Sequence, residues 1–290
     1  QAAHDAIQGP YKDVFFTKEE MKQLRYAGLL HDFGKVGVRE EVLVKMNKLS
    51  PVLEVRVLAR FDYIQKGLEA TNEHRKALYL LEKGKEGFEV QRQVFDRDLA
   101  DSLDRLEKYR KAVLESNTPR VLPEDAAGIL DEIAQATFQA PDGSEQPYLT
   151  DEELHFLRIP KGSLDPDERK QIESHVVHSY NYLLEIPWTD DLTRIAEIVQ
   201  GHHEKLNGKG YPRGVTGEEI PVETRFMTVC DIFDALTASD RPYKKAMPVD
   251  RALSILQMEA DEGGLDQDAV NLFLESKVYE KVLNTDWRDL

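Results

Sequence analysis

Imidazole and carboxylate side chains recur in short groups along this chain. The groups are His31 with Asp32, His175 with His178, His202 and His203 followed by Glu204, and Asp231 with Asp234. Neutral imidazoles and carboxylates without thiolates suit iron, manganese, zinc and similar divalent ions. A carboxylate can bridge two ions, which a lone neutral imidazole cannot, so Asp32 is the natural bridging candidate. These residue types predict a divalent metal site built from segments that are far apart in the sequence.

Each fragment taken alone also has an ordinary structural explanation. A histidine–aspartate pair is common at surfaces and helix ends, and a histidine pair is more often structural or exposed than ligating. His175 alone could be a core histidine whose hydrogen bonds are satisfied. Asp231 lies within an apolar stretch, where a buried carboxylate is costly unless it is paired or bound to a metal. The metal hypothesis therefore depends on the groups taken together.

Two further features could contact an anionic substrate. Lys35 follows Asp32 by about one turn and could bind a phosphate oxygen as a point charge. The alternative is a lysine at a helix C-terminus that interacts with the helix dipole. The stretch 206–217 is rich in glycine, which lets a backbone approach a ligand closely, and a tight structural turn is its alternative explanation. The residues of interest in this stretch are Gly210, Tyr211 and Pro212.

Helices must carry most of these side chains, because the sequence is helical almost throughout. Thr17 and Glu20 fit a capping box, which predicts a first helix over 18–33 with His31 and Asp32 in its last turn. Asp165 and Pro166 start a helix that carries His175. We expect Thr189 to cap the helix that His202 and His203 end. A final long helix from about Val222 to Ala238 carries Asp231.

The middle of the chain has a different character. From about 51 to 140, charged stretches alternate with apolar residues at spacings of three and four. Gly84 and Gly87 interrupt this pattern, which predicts an antiparallel pair of long helices joined by a turn. A strict heptad is not sustained, so a long coiled coil is not favoured. Residues 141–144 are typical of a turn, and we expect no strand except a short piece near the glycine-rich stretch.

Bulk properties exclude several classes of protein. The 290 residues are 41% hydrophobic and 32% charged, with a formal net charge of -16. Such an acidic balance argues against duplex nucleic-acid binding, which needs a basic footprint. Cys230 is the sole cysteine, so an intrachain disulfide and a thiolate zinc site are both excluded, and we expect a reducing, cytoplasmic setting. No apolar run approaches the roughly 18 residues of a membrane helix.

Together the motifs resemble a known family. Residues 29–37 resemble the HD-x-G-K motif of HD phosphohydrolases, and 202–212 resemble the HHE-x3-G-x-GYP motif that defines the HD-GYP family. Residues 220–225 and 231–244 resemble later parts of that family, in the same order. The chain is identified as a member of the HD-GYP family over about 1–49 and 163–290, but not over its middle.

This resemblance implies an all-α fold, an HD-type helical bundle with a long helical insertion. Residues 1–50 would form the first part of the core, 51–162 an inserted helical subdomain, and 163–290 the second part of the core. The insertion is a departure from the family, in which the two parts follow each other almost directly. Its length suits a dimer arm or a lid, and we favour the arm.

The resemblance also implies roles for residues. The six metal ligands would be His31, Asp32, His175, His202, His203 and Asp231, holding two or three divalent ions, with iron or manganese favoured. Asp32 and Lys35 would be catalytic. The substrate-binding residues would be Lys35, Gly210, Tyr211, Pro212, Arg241 and Lys244. Relative to the family pattern, one extra residue separates Asp231 from Arg241. Whether the Arg241 side chain points at the substrate is therefore left open.

A second departure lies at the start of the chain. Family members carry an additional metal-binding histidine about 30 residues before the HD pair, whereas residues 1–8 supply only His4. We expect the additional ligand at or before Gln1. The first metal ion would then be under-ligated and bind more weakly than the second.

The function implied is a metal-dependent phosphodiesterase that opens cyclic di-GMP to linear pGpG and on to GMP. One alternative is a hydrolase of mixed cyclic GMP-AMP, and another is a non-catalytic cyclic-dinucleotide receptor that signals through the inserted hairpin. A nucleotide phosphohydrolase of the wider superfamily is disfavoured by the Gly-Tyr-Pro motif. Partners by resemblance are a second copy of the chain, an upstream sensory domain, and a signalling protein bound through the Gly-Tyr-Pro loop.

Overall fold

A computed structural model describes residues 11–238 and 246–283, and within these ranges the fold is helical. The helices are α1 Lys18–Leu30, α2 Glu40–Leu43, α3 Pro51–Lys83, α4 Phe88–Asn117, α5 Glu124–Ala134, α6 Asp151–Leu157, α7 Pro166–Leu184, α8 Ile195–Gln200, α9 Val222–Thr237, α10 Val249–Asp261, α11 Gln267–Ser276 and α12 Val278–Leu283. Short 3₁₀ helices span Phe33–Gly37, Asp190–Leu192 and Gly217–Glu219. The all-α, HD-type class expected from the sequence is confirmed. Within the described ranges, no helix is both long and apolar enough to cross a bilayer.

Helix α1 begins as predicted and ends earlier. The Thr17 hydroxyl accepts from the backbone N–H of Glu20 at 3.1 Å, and the Glu20 carboxylate accepts from the backbone N–H of Thr17 at 2.7 Å. The helix stops at Leu30, so the predicted end near Gly34 is wrong. The backbone N–H of Gly34 donates to the side chain of Ser179 on α7 instead of continuing the helix. The chain therefore tightens into a 3₁₀ turn after Asp32.

Two other predicted helix positions need correction. Thr189 precedes the 3₁₀ turn Asp190–Leu192, and Arg194 is the residue that caps α8. Helix α8 ends at Gln200, so the histidine pair lies in the turn after it. Helix α9 ends at Thr237 as expected within one residue, but it is not the final helix, because α10, α11 and α12 follow. The buried residues of α10 and α11 pack on α9, and these helices were not predicted from their apolar spacing.

The chain divides into two compact units. The described residues of Gln1–Leu43 and Glu168–Leu290 form one, and Val44–Asp167 form the other. In the second unit, α3 and α4 form the predicted hairpin, with Gly84 and Gly87 at positive φ in the turn between them. Its core joins the base of the hairpin to α5 and α6, through Leu53, Val57, Phe61, Ile64, Leu106, Tyr109, Val113, Leu130, Ile133, Leu154 and Leu157.

A two-stranded antiparallel sheet in the second unit was not predicted. Strands β1 Thr137–Gln139 and β2 Glu145–Pro147 flank the turn that the sequence does indicate at 141–144. Each strand has three residues, and β2 is exposed throughout. Strands this short and polar carry no alternating apolar pattern that could reveal them.

The first unit has two apolar clusters. One joins α1, α7, α8 and the start of α9 through Ala27, Leu183, Leu192, Ile195, Ala196, Ile198, Val199 and Met227. The other joins α9 to α10 and α11 through Val229, Phe233, Ala252, Leu256, Ala260, Leu265, Ala269, Val270 and Phe273. Helix α9 belongs to both clusters. The first cluster fixes the ends of α1 and α8 next to the middle of α7.

Candidate metal centre

The six candidate ligands, all in the first unit, come together in the structure. The Nε2 atom of His31 lies 3.3 Å from Oδ1 of Asp231 and 3.5 Å from Oδ2 of Asp32. The other oxygen of Asp32, Oδ1, lies 3.4 Å from Nε2 of His175. Asp32 therefore faces two histidines with different oxygens, an arrangement that suits a carboxylate bridging two ions.

The histidine pair closes the other side of this group. The ring of His202 lies 5.0 Å from that of His31, 5.6 Å from that of His175 and 4.1 Å from that of His203. Potential ligand atoms of His175, His202 and His203 lie within 4.8 Å of one another. The same is true of His31, Asp32 and His202. The structure thus contains two overlapping groups, each compact enough to hold one ion.

Backbone carbonyls fix the orientation of three of these rings. The Nδ1 atoms of His31, His175 and His202 lie 2.8, 2.6 and 2.6 Å from the carbonyl oxygens of Gly28, Ile172 and Val199, each three residues earlier. A carbonyl can only accept, so each Nδ1 carries the proton. In His175 and His202 that tautomer leaves the Nε2 lone pair free, which is how histidine ligands are usually oriented. The regular spacing to a carbonyl three residues earlier was not foreseen from the sequence.

The buried ring nitrogens allow a direct test of whether a metal fits. Among the described residues, Nε2 of His175 and Nε2 of His202 are buried and have no hydrogen-bond partner. An unpaired polar atom away from water is costly. Both atoms are hydrogen-bond acceptors, and both lie next to Asp32 or His31. They therefore suit a divalent cation. The residues present therefore fit the metal that the sequence predicts.

Burial keeps the imidazoles of His175, His202 and His203 neutral. Burial alone would lower the pKa of His31 as well, but the hydrogen bond with Asp231 and the neighbouring Asp32 raise it. Burial lowers the pKa of His202 to about 4, and burial together with neighbouring His202 lowers the pKa of His203 to about 3. Burial would raise the pKa of Asp231, but the hydrogen bond with His31 and the neighbouring His203 hold it at about 2. Neutral imidazoles beside an ionised carboxylate are the protonation states that bind divalent ions.

Lys35 lies on the 3₁₀ turn directly after the ligand pair. Its Nζ donates to Oδ2 of Asp32 at 2.5 Å, and both side chains are about one-third exposed. Burial would raise the pKa of Asp32, but the hydrogen bond from Lys35 and the neighbouring His31 lower it below its usual range. Lys35 thus places a positive charge at the accessible edge of the centre.

The glycine-rich loop folds onto the histidine pair. The backbone N–H of Tyr211 donates to the carbonyl of His203 at 3.1 Å, and the Tyr211 ring lies 4.8 Å from the His203 ring at 33°. A Cβ at Gly210 would lie 2.2 Å from the backbone N of Lys205. Glycine is required there because the two backbone segments cross closely. Gly210, Tyr211 and Pro212 are all half-buried beside the centre.

Glu204 holds this loop in place and was missed as a functional residue. Its buried carboxylate accepts from the backbone N–H groups of Arg213 at 2.7 Å and Val215 at 3.2 Å. The sequence did contain a pattern that could have identified it, because a carboxylate directly after a histidine pair could be a ligand or an anchor. The structure gives it two backbone donors of the loop, which is the role of an anchor.

Some predicted residues lie elsewhere. Arg241 and Lys244, expected to bind substrate, lie outside the described residues, and so does His4. Two other histidines belong to the second unit: His74 is exposed on α3, and His155 on α6 lies 3.1 Å from Asp165.

Comparisons with known proteins agree with this picture. A family model described as an HD domain matches residues 150–269. The chain is 46% identical to 3'3'-cGAMP-specific phosphodiesterase 3 of Vibrio cholerae, over 33% of this chain and 20% of that protein. It is 30% identical to a cyclic di-GMP phosphodiesterase of Thermotoga maritima, over 69% of this chain and 55% of that protein. It is 41% identical to the cyclic di-GMP phosphodiesterase response regulator RpfG of Xanthomonas campestris, over 33% and 25%.

The matches do not extend over whole proteins. The chain spans between 20% and 55% of the length of these three relatives. The part of the chain that matches the HD domain model contains the histidine pair, the glycine-rich loop and helix α9.

Proposed function

The chain belongs to the HD-GYP family of HD domains, and from this premise we propose that it is a metal-dependent phosphodiesterase that hydrolyses a cyclic dinucleotide. One observation carries the proposal: the buried, unpaired Nε2 atoms of His175 and His202 lie beside Asp32, and the Gly-Tyr-Pro loop packs on the adjacent His203. The names of the relatives, which include phosphodiesterases of cyclic di-GMP and of 3'3'-cGAMP, support the substrate class.

The cofactor would be two or three divalent ions, with iron or manganese favoured, because the donors are imidazole and carboxylate without thiolate. We propose that His31, Asp32 and Asp231 hold one ion, and that Asp32, His175 and the histidine pair hold another. When bound, such ions supply Lewis acidity for an in-line displacement at phosphorus. The chain's own contribution is to fix the ligands, keep the imidazoles of His175, His202 and His203 neutral and exclude bulk water from the buried side.

Other residues would bind the substrate. Lys35 is the nearest cation to Asp32 and would contact a phosphate oxygen, and its bond to Asp32 holds the ammonium at that edge. Tyr211 would present its ring to the nucleotide, with Gly210 and Pro212 shaping the loop around it. By resemblance alone, Arg241 and Lys244 would contact the second phosphate.

The preferred substrate is cyclic di-GMP, with linear pGpG and then GMP as products. Mixed cyclic GMP-AMP is a second candidate, favoured by the 46% identity to a 3'3'-cGAMP-specific relative. We also propose that 51–162 is an insertion into a core formed by 1–50 and 163–290, which the compact unit Val44–Asp167 supports. A homodimer, an upstream sensory domain and a loop-bound signalling partner remain proposals from the resemblance.

The test is a product assay on the purified chain. Loaded with Mn²⁺, or with Fe²⁺ under anaerobic conditions, it is incubated with each cyclic dinucleotide, and products are separated by chromatography. We expect a linear dinucleotide from at least one ring, and none from His202→Ala. Tight binding of either ring without any product would favour the receptor function instead.

A further inference from the structure

We propose that Ser179 is a positioning residue that sets the distance between the two segments carrying Asp32 and His175, and so determines metal affinity. The inference rests on the metal centre of the proposed function. Ser179 lies on α7, one helical turn after His175, and is completely buried. Its sequence position had given it no role, because a serine within a helix is usually a surface residue.

The hydroxyl of Ser179 makes two hydrogen bonds to the ligand-bearing turn. Its Oγ accepts from the backbone N–H of Gly34 at 2.8 Å and donates to the carbonyl of His31 at 2.6 Å. These two backbone groups lie on either side of Asp32. One side chain of α7 therefore holds both ends of the segment from His31 to Gly34, which presents the bridging carboxylate.

Close packing at Gly34 reinforces this attachment. A Cβ there would lie 2.0 Å from the carbonyl oxygen of His175 and 2.5 Å from the backbone N of Ser179. The turn thus lies directly against the backbone of α7, in the segment that begins with His175. In this arrangement, Oδ1 of Asp32 lies 3.4 Å from Nε2 of His175.

Loss of the hydroxyl has a defined consequence. In Ser179→Ala, the N–H of Gly34 and the carbonyl of His31 lose a buried partner, and a buried group without a partner is costly. The turn would shift to regain partners, which moves Asp32 relative to His175. Partners of this kind, outside the ligand set itself, typically change metal affinity by about 10-fold or more. We therefore expect weaker metal binding with every ligand side chain still present.

The experiment is calorimetric titration of the metal-free chain with Mn²⁺, which does not depend on catalysis. We expect Ser179→Ala to raise the Kd for Mn²⁺ about 10-fold. Ser179→Thr retains the hydroxyl and should lie closer to the wild type than Ser179→Ala. Where activity is measurable, Ser179→Ala should need more Mn²⁺ for a half-maximal rate but reach the maximal rate of the wild type. A general loss of folding would lower the maximal rate instead.

A matched control is available in the second unit. Ser116 is also completely buried, and among the described residues its hydroxyl has no hydrogen-bond partner. Ser116→Ala should leave the Kd unchanged, with unfolding of each variant followed in parallel.

A wild-type Kd in folded Ser179→Ala, or equal losses of Mn²⁺ affinity in both alanine variants, would overturn the inference. If Ser179→Ala does not fold, Ser179→Cys replaces it, because a thiol is a weaker hydrogen-bond partner than a hydroxyl. A Kd above that of Ser179→Thr would then support the inference, and equal Kd values would overturn it. Mn²⁺ binding without hydrolysis would refute the proposed function and leave the positioning role standing.

Discussion

Asp32 is the residue on which the centre depends, because its two oxygens have different neighbours. Oδ1 faces His175, whereas Oδ2 faces His31 and Lys35. Removing the carboxylate disturbs both groups of ligands at once. Removing the lysine takes away a positive charge but leaves every candidate ligand in place.

These neighbours lead to contrasting variants. Asp32→Ala should lose bound metal and all hydrolysis. Lys35→Ala should keep its metal and lose about 10²-fold in kcat, the usual cost of one group that stabilises developing charge. Metal content by mass spectrometry and steady-state rates distinguish the two. Equal metal loss in both variants would show that Lys35 is structural.

The buried imidazoles predict how the metal-free chain responds to pH. His202 has a folded pKa of about 4, below the ordinary value of 6.5. Between these values the unfolded chain binds a proton that the folded chain does not, so stability falls as pH falls. From pH 7 to pH 5, His202 should account for about 1–2 kcal/mol of lost unfolding free energy.

Urea unfolding in the presence of a chelator measures this effect. The fall in unfolding free energy from pH 7 to pH 5 should be smaller in His202→Gln than in the wild type. The exposed histidine His74 supplies the control, and His74→Gln should behave as the wild type. An identical pH dependence in all three proteins would contradict the prediction.

At the residue scale, the sequence predicts ligands better than it predicts their partners. The six candidates were chosen by side-chain type and by resemblance, and they lie together. The carbonyls that fix the rings could not be read from it, because they belong to residues of no distinctive type such as Ile172 and Val199. The role of Ser179 could not be predicted either, because its hydrogen-bond partners lie 145 and 148 residues away in the sequence.

At the scale of elements, the ends of helices form the centre more than their interiors. His31 is the C-cap of α1, and the histidine pair lies just after α8. The capping box at Thr17 predicted one helix start well, because its signal is local. The end of α1 depends on Gly34 meeting α7, a tertiary contact that no local pattern contains.

The Gly-Tyr-Pro loop yields a prediction through its anchor. Glu204→Gln keeps the shape of the side chain but leaves one oxygen to serve two backbone donors, at Arg213 and Val215. Loss of such a charge-assisted bond should cost about 1.5–3 kcal/mol. Because Tyr211 would lose its fixed position, KM for the dinucleotide should rise more than kcat falls, while Mn²⁺ affinity stays within a few-fold.

A glutamate that follows the loop, in the 3₁₀ helix Gly217–Glu219, provides the comparison. Glu219 is exposed and accepts from the backbone N–H of Thr216 at 3.3 Å. Glu219→Gln should change the unfolding free energy by less than about 0.5 kcal/mol. Denaturant curves and steady-state kinetics on both variants decide the matter. Similar effects in both would show that the buried carboxylate has no special anchoring role.

At the scale of the whole molecule, each compact unit has an apolar core of its own. The core of the second unit contains only the base of the α3–α4 hairpin, up to Ile64 and down from Leu106. Beyond that, large apolar side chains remain exposed, among them Leu81 at 83% and Val90 at 70%. Exposed apolar residues at the end of a long hairpin support its use as a dimer arm.

Shortening the hairpin tests the arm directly. Asn72–Asp96 and Arg75–Asp98 pair α3 with α4 in the outer part, and Asp62–Arg110 pairs them near the base. Deleting 70–101 and joining the ends by a short glycine–serine linker removes the outer pairs and keeps the base.

The shortened protein should remain folded, because the retained residues include the apolar core of the second unit. Mn²⁺ affinity should also be unchanged, since no candidate ligand lies between 44 and 167. We expect analytical ultracentrifugation to show a dimer for the full chain and a monomer for the shortened one. A shortened protein that is still a dimer, or a full chain that is already a monomer, would refute the arm. An unchanged oligomeric state with altered turnover would favour the lid, because a lid acts on substrate access and not on self-association.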